Sequence, residues 1–259
     1  MDLGLQDKVV LVTGGDKGIG NAISQVLAEE GAIPIIIGRT ERDVMAAVDS
    51  IQNSGGRAFA AIAELTNEAQ CKAAIAKTLD SFGRIDGLVN NAGINDGIGL
   101  EHGNYVDFKR SLERNVGHYY TMAHHTLPEL KKSMGSIVNI GSKTSLTGQG
   151  NTSGYAAANG ARNSLTREWA LELLPYSIRV NAVIVAECFT PLYQKWITGF
   201  ENPEEKLKSI TEKIPLGNRM TTAQEIANTV AFLLSEKSSH TTGQLIFVDG
   251  GYTHLDRSL

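Results

Sequence analysis

The chain has 259 residues, 42% of them hydrophobic and 20% charged, with a formal net charge of −4. Those proportions are globular and exclude a disordered or fibrous protein. The weak acidic balance argues against a nucleic-acid or anionic-membrane partner, and no apolar run approaches the roughly 18 residues that a spanning helix needs. The start Met1–Lys8 has no charged segment leading into an apolar core, so no secretory signal is expected. The two cysteines, Cys71 and Cys188, make neither a disulfide framework nor a metal-ligand spacing.

In chain order, apolar runs alternate with helical periodicity. Lys8–Thr13 reads as a strand and Gly18–Gly31 as a helix with Ile23, Val26 and Leu27 on one face. Ile33–Gly38 is a second strand. Thr40-Glu41-Arg42-Asp43 has the form of a capping box, opening a helix to about Asn53. Arg57–Ala63 and Gly87–Asn90 read as strands on either side of a helix over Asn67–Phe82. A long helix is expected over Val106–Leu130, a strand over Ser136–Ile140, and a helix from about Tyr155 to Leu174. Ile178–Val183 is a strand and Phe189–Thr211 is irregular or helical. Thr222–Leu234 is a helix and Gln244–Val248 a last strand. Continuous apolar strands between helices predict an α/β fold: one doubly wound, Rossmann-type parallel sheet with helices on both faces. No linker divides the chain, so a single domain over 1–259 is expected, with a substrate lid at about 187–212. Ligands of such sheets sit at the carboxyl ends of the strands, near the point where strand order reverses.

The first strand runs into Thr13-Gly14-Gly15-Asp16-Lys17-Gly18-Ile19-Gly20 and then a helix. Glycines allow a tight turn and close approach of a pyrophosphate to the helix N-terminus, whose free N–H groups and dipole favour anions. Strand, loop and helix together point to dinucleotide binding. The end of the second strand carries Gly38-Arg39 and no carboxylate to grip a ribose 2′-hydroxyl. Arg39 and Lys17 are placed to face a 2′-phosphate, so NADP is expected ahead of NAD.

Asn90-Asn91-Ala92-Gly93 ends the fourth strand, and Ser142 stands thirteen positions before Tyr155. With the Thr13–Gly20 loop, Asn115 in the long helix and Val248-Asp249-Gly250-Gly251 near the end, the chain resembles the short-chain dehydrogenase/reductase family over nearly its whole length. The resemblance implies roles. Tyr155 is the general acid/base, Ser142 orients the substrate oxygen, and Asn115 holds a water of a proton relay. Asn90, Asn91, Ala92 and Gly93 line the adenosine side. Glu64 and Leu65 stand at the adenine contact, and Val185 and Thr190 at the nicotinamide. It also implies a cytoplasmic homotetramer.

The family pattern is Tyr-xxx-Lys, and this chain has Tyr155-Ala156-Ala157-Ala158-Asn159. The resemblance gives that lysine two jobs: a hydrogen bond to the nicotinamide ribose and a charge that favours the phenolate. Asn159 can do the first and not the second. Three readings stand. A compensating cation, Lys143 or the nicotinamide itself, keeps the enzyme active; or the enzyme works at alkaline pH; or the protein binds the cofactor without catalysis.

The family's Pro-Gly after the sixth strand is absent, and Glu187 stands near the nicotinamide end. With Asn95-Asp96 and Gln149-Gly150-Asn151 it forms a polar set suited to a sugar or polyol, because hydroxyl-pairing sites reject apolar ligands. The stretches Gln149–Tyr155, Ala186–Tyr193, Ser239–Gly243 and Val248–Arg257 resemble bacterial L-fucose dehydrogenases, which implies oxidation of the sugar at C1 to a lactone. Phe189, Tyr193, Trp196 and Phe200 are either a lid over the sugar or packing. No metal is expected: His124 and His125 are adjacent on a helix and diverge, and with His118 they find no further ligand. His254 lies in the tail near the site. Cys188 reads as a small buried hydrophobe.

Overall fold

The computed structural model describes residues 2–255. The Asp256-Arg257 end of the last matching stretch therefore lies outside the described residues. The strands β1 (Val9–Thr13), β2 (Ile33–Gly38), β3 (Phe59–Ile62), β4 (Gly87–Asn90), β5 (Ser136–Ser142), β6 (Arg179–Val185) and β7 (Leu245–Val248) form one sheet. Its order is β3-β2-β1-β4-β5-β6-β7, and the pairings are parallel. Strand order reverses between β1 and β4, so the crevice at their carboxyl ends is the ligand position.

The helices α1 (Gly18–Glu29), α2 (Glu41–Asn53) and α9 (Ala223–Leu234) cover one face. The other carries α3 (Glu68–Phe82), α5 (His118–Ser133) and α6 (Ser153–Glu172). Strand β1 shows the cause: Val9 and Leu11 enter one core, Val10 and Val12 the other. A strand buried on both faces must be apolar throughout, and each fully buried aliphatic side chain contributes roughly 1.5–3 kcal/mol.

Three expectations are corrected, and one left open is resolved. The long helix over Val106–Leu130 is interrupted: α4 (Tyr105–Leu112) passes through a π-helical turn at Glu113–Gly117 into α5. The turn centres on the buried side chain of Asn115, whose Oδ1 accepts from the Ile94 amide at 2.7 Å and whose Nδ2 donates to the Ser111 carbonyl at 3.0 Å. Strands β5 and β6 run two residues further than expected, because Ser142 pairs with Val185 in the ladder. Thr40 makes no side-chain cap, since Asp43 is taken by Lys17 and Arg42; the capping box that forms joins Thr222 and Glu225 at α9. The stretch after β6 is helical in two parts, α7 (Pro191–Ile197) and α8 (Pro203–Thr211).

Candidate active site

The glycine loop closes on itself. Gly14 and Gly18 have φ of 61° and 53°, which favours glycine, and a β-carbon on Gly20 would lie 2.0 Å from the Gly14 carbonyl oxygen. The Gly14 amide donates to Ile37 at 2.7 Å, tying the loop to β2. Asn91 braces it from below, donating to the carbonyls of Thr13 and Gly14 at 2.9 and 3.2 Å. Helix α1 begins at this loop with no side-chain cap and no acidic residue in its first turn. Its first amides thus remain for an anion, and the loop fits a dinucleotide pyrophosphate.

At the neighbouring strand end, Lys17 pairs with Asp43, and Arg39 reaches Glu64 at 3.5 Å. Both cations are exposed, with side chains 58% and 75% accessible. Asp16 lies against Gly38, its Oδ1 2.8 Å from where a β-carbon would stand. Burial opposes ionisation of Glu64, but hydrogen bonds from Thr66 and Arg39 hold its carboxyl below the usual range. Leu65 packs on the core beneath, and Ala92 is half-buried beyond β4. Asn90 is placed elsewhere than expected: it is fully buried and donates to Asn139 across the sheet at 3.0 Å.

The ends of β5 and β6 bring the polar groups together. The Oγ of Ser142 accepts from the Thr144 amide at 3.3 Å and from the Thr144 hydroxyl at 3.1 Å. The next residue, Lys143, pairs with Glu187 beyond β6; the two side chains are only 10% and 13% exposed. Lys143 also stands 4.1 Å from the ring centroid of Tyr252, which belongs to the Val248–Arg257 stretch. Burial and the Glu187 charge push the nearby Tyr193 phenol up. Thr190 caps α7 through the Tyr193 amide, and its methyl would meet a β-carbon on Gly18 at 3.3 Å. The loop after β6 therefore touches the glycine loop.

Helix α6 presents Tyr155, Asn159 and Arg162 at i, i+4 and i+7, which share a face. Asn159 Nδ2 donates to the Tyr155 carbonyl at 2.9 Å. Its Oδ1 accepts from Arg162 Nη1 at 3.0 Å. Arg162 is 3% exposed. It also donates through Nε to the Asn115 carbonyl at 2.7 Å and through Nη1 to the Ile140 carbonyl at 3.1 Å, and its guanidinium lies 4.3 Å from the Tyr119 ring centroid. Gly93 makes room for it, since a β-carbon there would lie 2.7 Å from Nη2. Burial, and then the Arg162 charge, push the His118 imidazole down to about 3. The expected compensating cation, Lys143, is neutralised by Glu187; the cation bonded to Asn159 is Arg162. The i+7 spacing from Tyr155 was the signal in the sequence.

Other expected residues lie further out. Asn95 and Gln149 are exposed loop residues, and Asn95 Oδ1 accepts from the Gly97 amide at 3.3 Å. Phe189, Tyr193, Trp196 and Phe200 form a ladder of rings with centroids 6.0, 5.1 and 4.9 Å apart. His125 bonds Glu68, His124 stacks on Tyr120, and His254 packs edge-on against Phe247. Burial pushes the Cys188 thiol up to about 12, and the Glu225 charge adds to it. Among the described residues no cluster of three or more His, Cys, Asp or Glu could hold a metal, and no helix is long and apolar enough to cross a membrane.

A family model described as enoyl-(acyl carrier protein) reductase matches residues 14–253. The L-fucose dehydrogenase of Bos taurus is 33% identical over 94% of this chain and 88% of the relative. The crystal structure of Cj0485 dehydrogenase is 45% identical with a TM-score of 0.95, covering 100% of this chain and 99% of that one. L-Sorbose reductase from Gluconobacter frateurii, solved with NADPH and L-sorbose, is 25% identical with a TM-score of 0.94, covering 99% and 100%.

Proposed function

This chain belongs to the short-chain dehydrogenase/reductase family of NAD(P)-dependent oxidoreductases, and on that premise we propose that it is an NADP-linked sugar dehydrogenase. Its proposed reaction is oxidation of L-fucose, or a sugar of related stereochemistry, at C1 to a lactone. The observation that carries the substrate class is the Lys143–Glu187 pair, nearly buried at the ends of β5 and β6. Beyond their mutual bond, the ammonium and carboxylate keep N–H groups and lone pairs for adjacent hydroxyls, which an acyl chain would leave without partners. The L-fucose dehydrogenase and L-sorbose reductase among the similar proteins support a sugar.

The nicotinamide, when bound, supplies the hydride acceptor. Tyr155 takes the proton from the anomeric hydroxyl. Ser142 Oγ already accepts from Thr144, so its own O–H is left to donate to the substrate oxygen. Asn159 gives one Nδ2 hydrogen to the Tyr155 carbonyl and keeps the other for the nicotinamide ribose. Asn115 fixes the Ile94 backbone beside the site. Gly14, Gly18, Ile19 and Gly20 present the uncapped start of α1 to the pyrophosphate, with Asp16 at the adenosine ribose. Lys17 and Arg39 turn from their carboxylates to the 2′-phosphate. Glu64, Leu65, Asn91, Ala92 and Gly93 bound the adenosine side, and Val185 and Thr190 the nicotinamide side. Asn95, Gln149 and Glu187 face the sugar. The protein acts as a single-domain cytoplasmic homotetramer, with residues 187–212 covering the substrate.

Reduction of NADP and NAD is followed with L-fucose from neutral to alkaline pH. Turnover with a higher kcat/KM for NADP is expected, and Tyr155→Phe lowers kcat by about 10²–10⁴-fold with cofactor binding retained. No turnover at any pH, with cofactor bound, would instead identify a cofactor-binding protein without catalysis.

A further inference from the structure

Three strands end in one row of the sheet: Ser142 of β5 pairs with Val185 of β6, and Val185 pairs with Val248 of β7. Neighbouring strands lie about 4.8 Å apart, so the residues just beyond this row share one small volume. Lys143, Glu187 and Tyr252 lie there, joined by the Lys143–Glu187 pair and by the 4.1 Å contact of the Lys143 ammonium with the Tyr252 ring. The turn that delivers Tyr252 is fixed. The Asp249 carboxylate accepts from the Gly251 and Thr253 amides, each at 2.9 Å, and Gly250 and Gly251 have φ of 62° and 82°. A fourth side chain comes from α7. Thr190 accepts from the Tyr193 amide at 3.2 Å and so sets the start of that helix. The Tyr193 ring packs on both Phe189 and Trp196, with centroids 6.0 and 5.1 Å away.

The hydroxyl oxygen of Tyr193 is sealed from solvent and makes no well-formed hydrogen bond. It lies close to Glu187 all the same: burial first, and then the Glu187 charge, push the phenol up. Its proton therefore stays on, and the group remains a donor at any working pH. Packing does not account for this hydroxyl. A phenylalanine would make the same ring contacts, and a buried hydroxyl without a partner opposes folding.

We propose that Tyr193 is a specificity-determining residue, its hydroxyl completing with Lys143 and Glu187 a subsite for a second hydroxyl of the sugar. The inference rests on the sugar reading of this site. The donor set selects the ligand. Tyr193 and Lys143 donate and Glu187 accepts. An alcohol oxygen answers both, accepting from the phenol while giving its own proton to the carboxylate. A carbonyl oxygen can only accept, an ammonium can only donate, and a carboxylate would meet the Glu187 charge. An alkyl carbon would leave the three groups without partners. Ser142 directly precedes Lys143 and, on the same reading, holds the reacting oxygen, so both contacts fall on one small molecule. Tyr252 supports the subsite by seating the ammonium on its ring face.

Steady-state rates of wild type and Tyr193→Phe test this with L-fucose, L-galactose and D-arabinose, and with analogues of the best of them that each lack one ring hydroxyl. Tyr193→Phe is expected to raise KM for the sugar by about 10-fold, while KM for NADP stays within about twofold. Its Tm should hold or rise, since a sealed hydroxyl without a partner has been removed. For the analogue that lacks the hydroxyl held by Tyr193, the two proteins should share one KM, because the interaction is already gone. A sugar KM that does not rise, or that rises equally for the parent sugar and every analogue, overturns the inference and leaves Tyr193 as ring packing. The sugar reading is judged on wild type alone. Turnover by wild type with the same KM in both proteins keeps that reading and refutes the subsite. No turnover by wild type on any of the three sugars refutes the reading, and the subsite with it.

Discussion

Gly93 faces the Arg162 guanidinium so closely that a β-carbon on it would stand 2.7 Å from Nη2 and 3.0 Å from Asn115 Oδ1. The last residue of the Asn-Asn-Ala-Gly stretch is therefore glycine for a reason set by a helix far along the chain. Gly93→Ala is expected to displace the guanidinium, at about 1–3 kcal/mol for overpacking. At about 2–4 °C per kcal/mol for a chain of this size, the Tm should fall by several degrees. An unchanged Tm by calorimetry would mean that the arginine yields freely.

Lys17→Ala and Arg39→Ala test the cofactor choice. Each removes one charge from the site proposed for the 2′-phosphate. A hydrogen bond to a charged group is worth about 1.5–3 kcal/mol, so KM for NADP should rise by roughly 10-fold or more in each variant. KM for NAD should stay within about twofold. Equal losses for both cofactors in steady-state assays would place these side chains away from the 2′ position.

Glu187→Leu leaves the Lys143 ammonium buried without its carboxylate. Breaking such a pair costs about 3–5 kcal/mol, whereas replacing both partners is milder. Denaturant unfolding should therefore rank Glu187→Leu below Lys143→Met/Glu187→Leu in stability. Both variants should raise KM for the sugar and spare KM for NADP. A double variant with unchanged sugar KM would separate the pair from substrate recognition.

Glu225 supplies a pH test of the fold. The bond from Arg219, and then the Thr222 amide, hold its carboxyl down to about 2. A depressed acid contributes stability that is complete above its unfolded value and is lost as pH falls through the folded one. Wild type should lose its advantage over Glu225→Gln between the ordinary 4.5 and about 2. Urea midpoints measured across that window check it; a gap that persists at the acid end would contradict it.

What the sequence disclosed divides by range. β4 was legible residue for residue, the glycine loop was read from local spacing, and Ser142 and Tyr155 were singled out by the family resemblance. These features depend on short-range patterning: apolar runs for a sheet buried on both faces, and glycine where φ is positive. The π turn was not legible. No proline or glycine precedes it within Val106–Val116, and its cause is a set of bonds from Ile94 and Arg162, distant in sequence. The i+7 spacing puts Arg162 on the face of Tyr155, but that this face turns inward is set by the packing of the helix on the sheet. The pairing of Lys143 with Glu187 likewise depends on β5 and β6 ending side by side.

The ring ladder after β6 has a spectroscopic corollary. The chain has two tryptophans, and they lie in unlike surroundings: Trp169 is buried in the core against the sheet, while Trp196 is 47% exposed within the ladder on α7. Indole emission moves to longer wavelength as its surroundings become more polar. Subtracting the spectrum of a Trp196→Phe protein from that of wild type thus gives an optical signal from the 187–212 segment alone, while the remaining indole reports the interior.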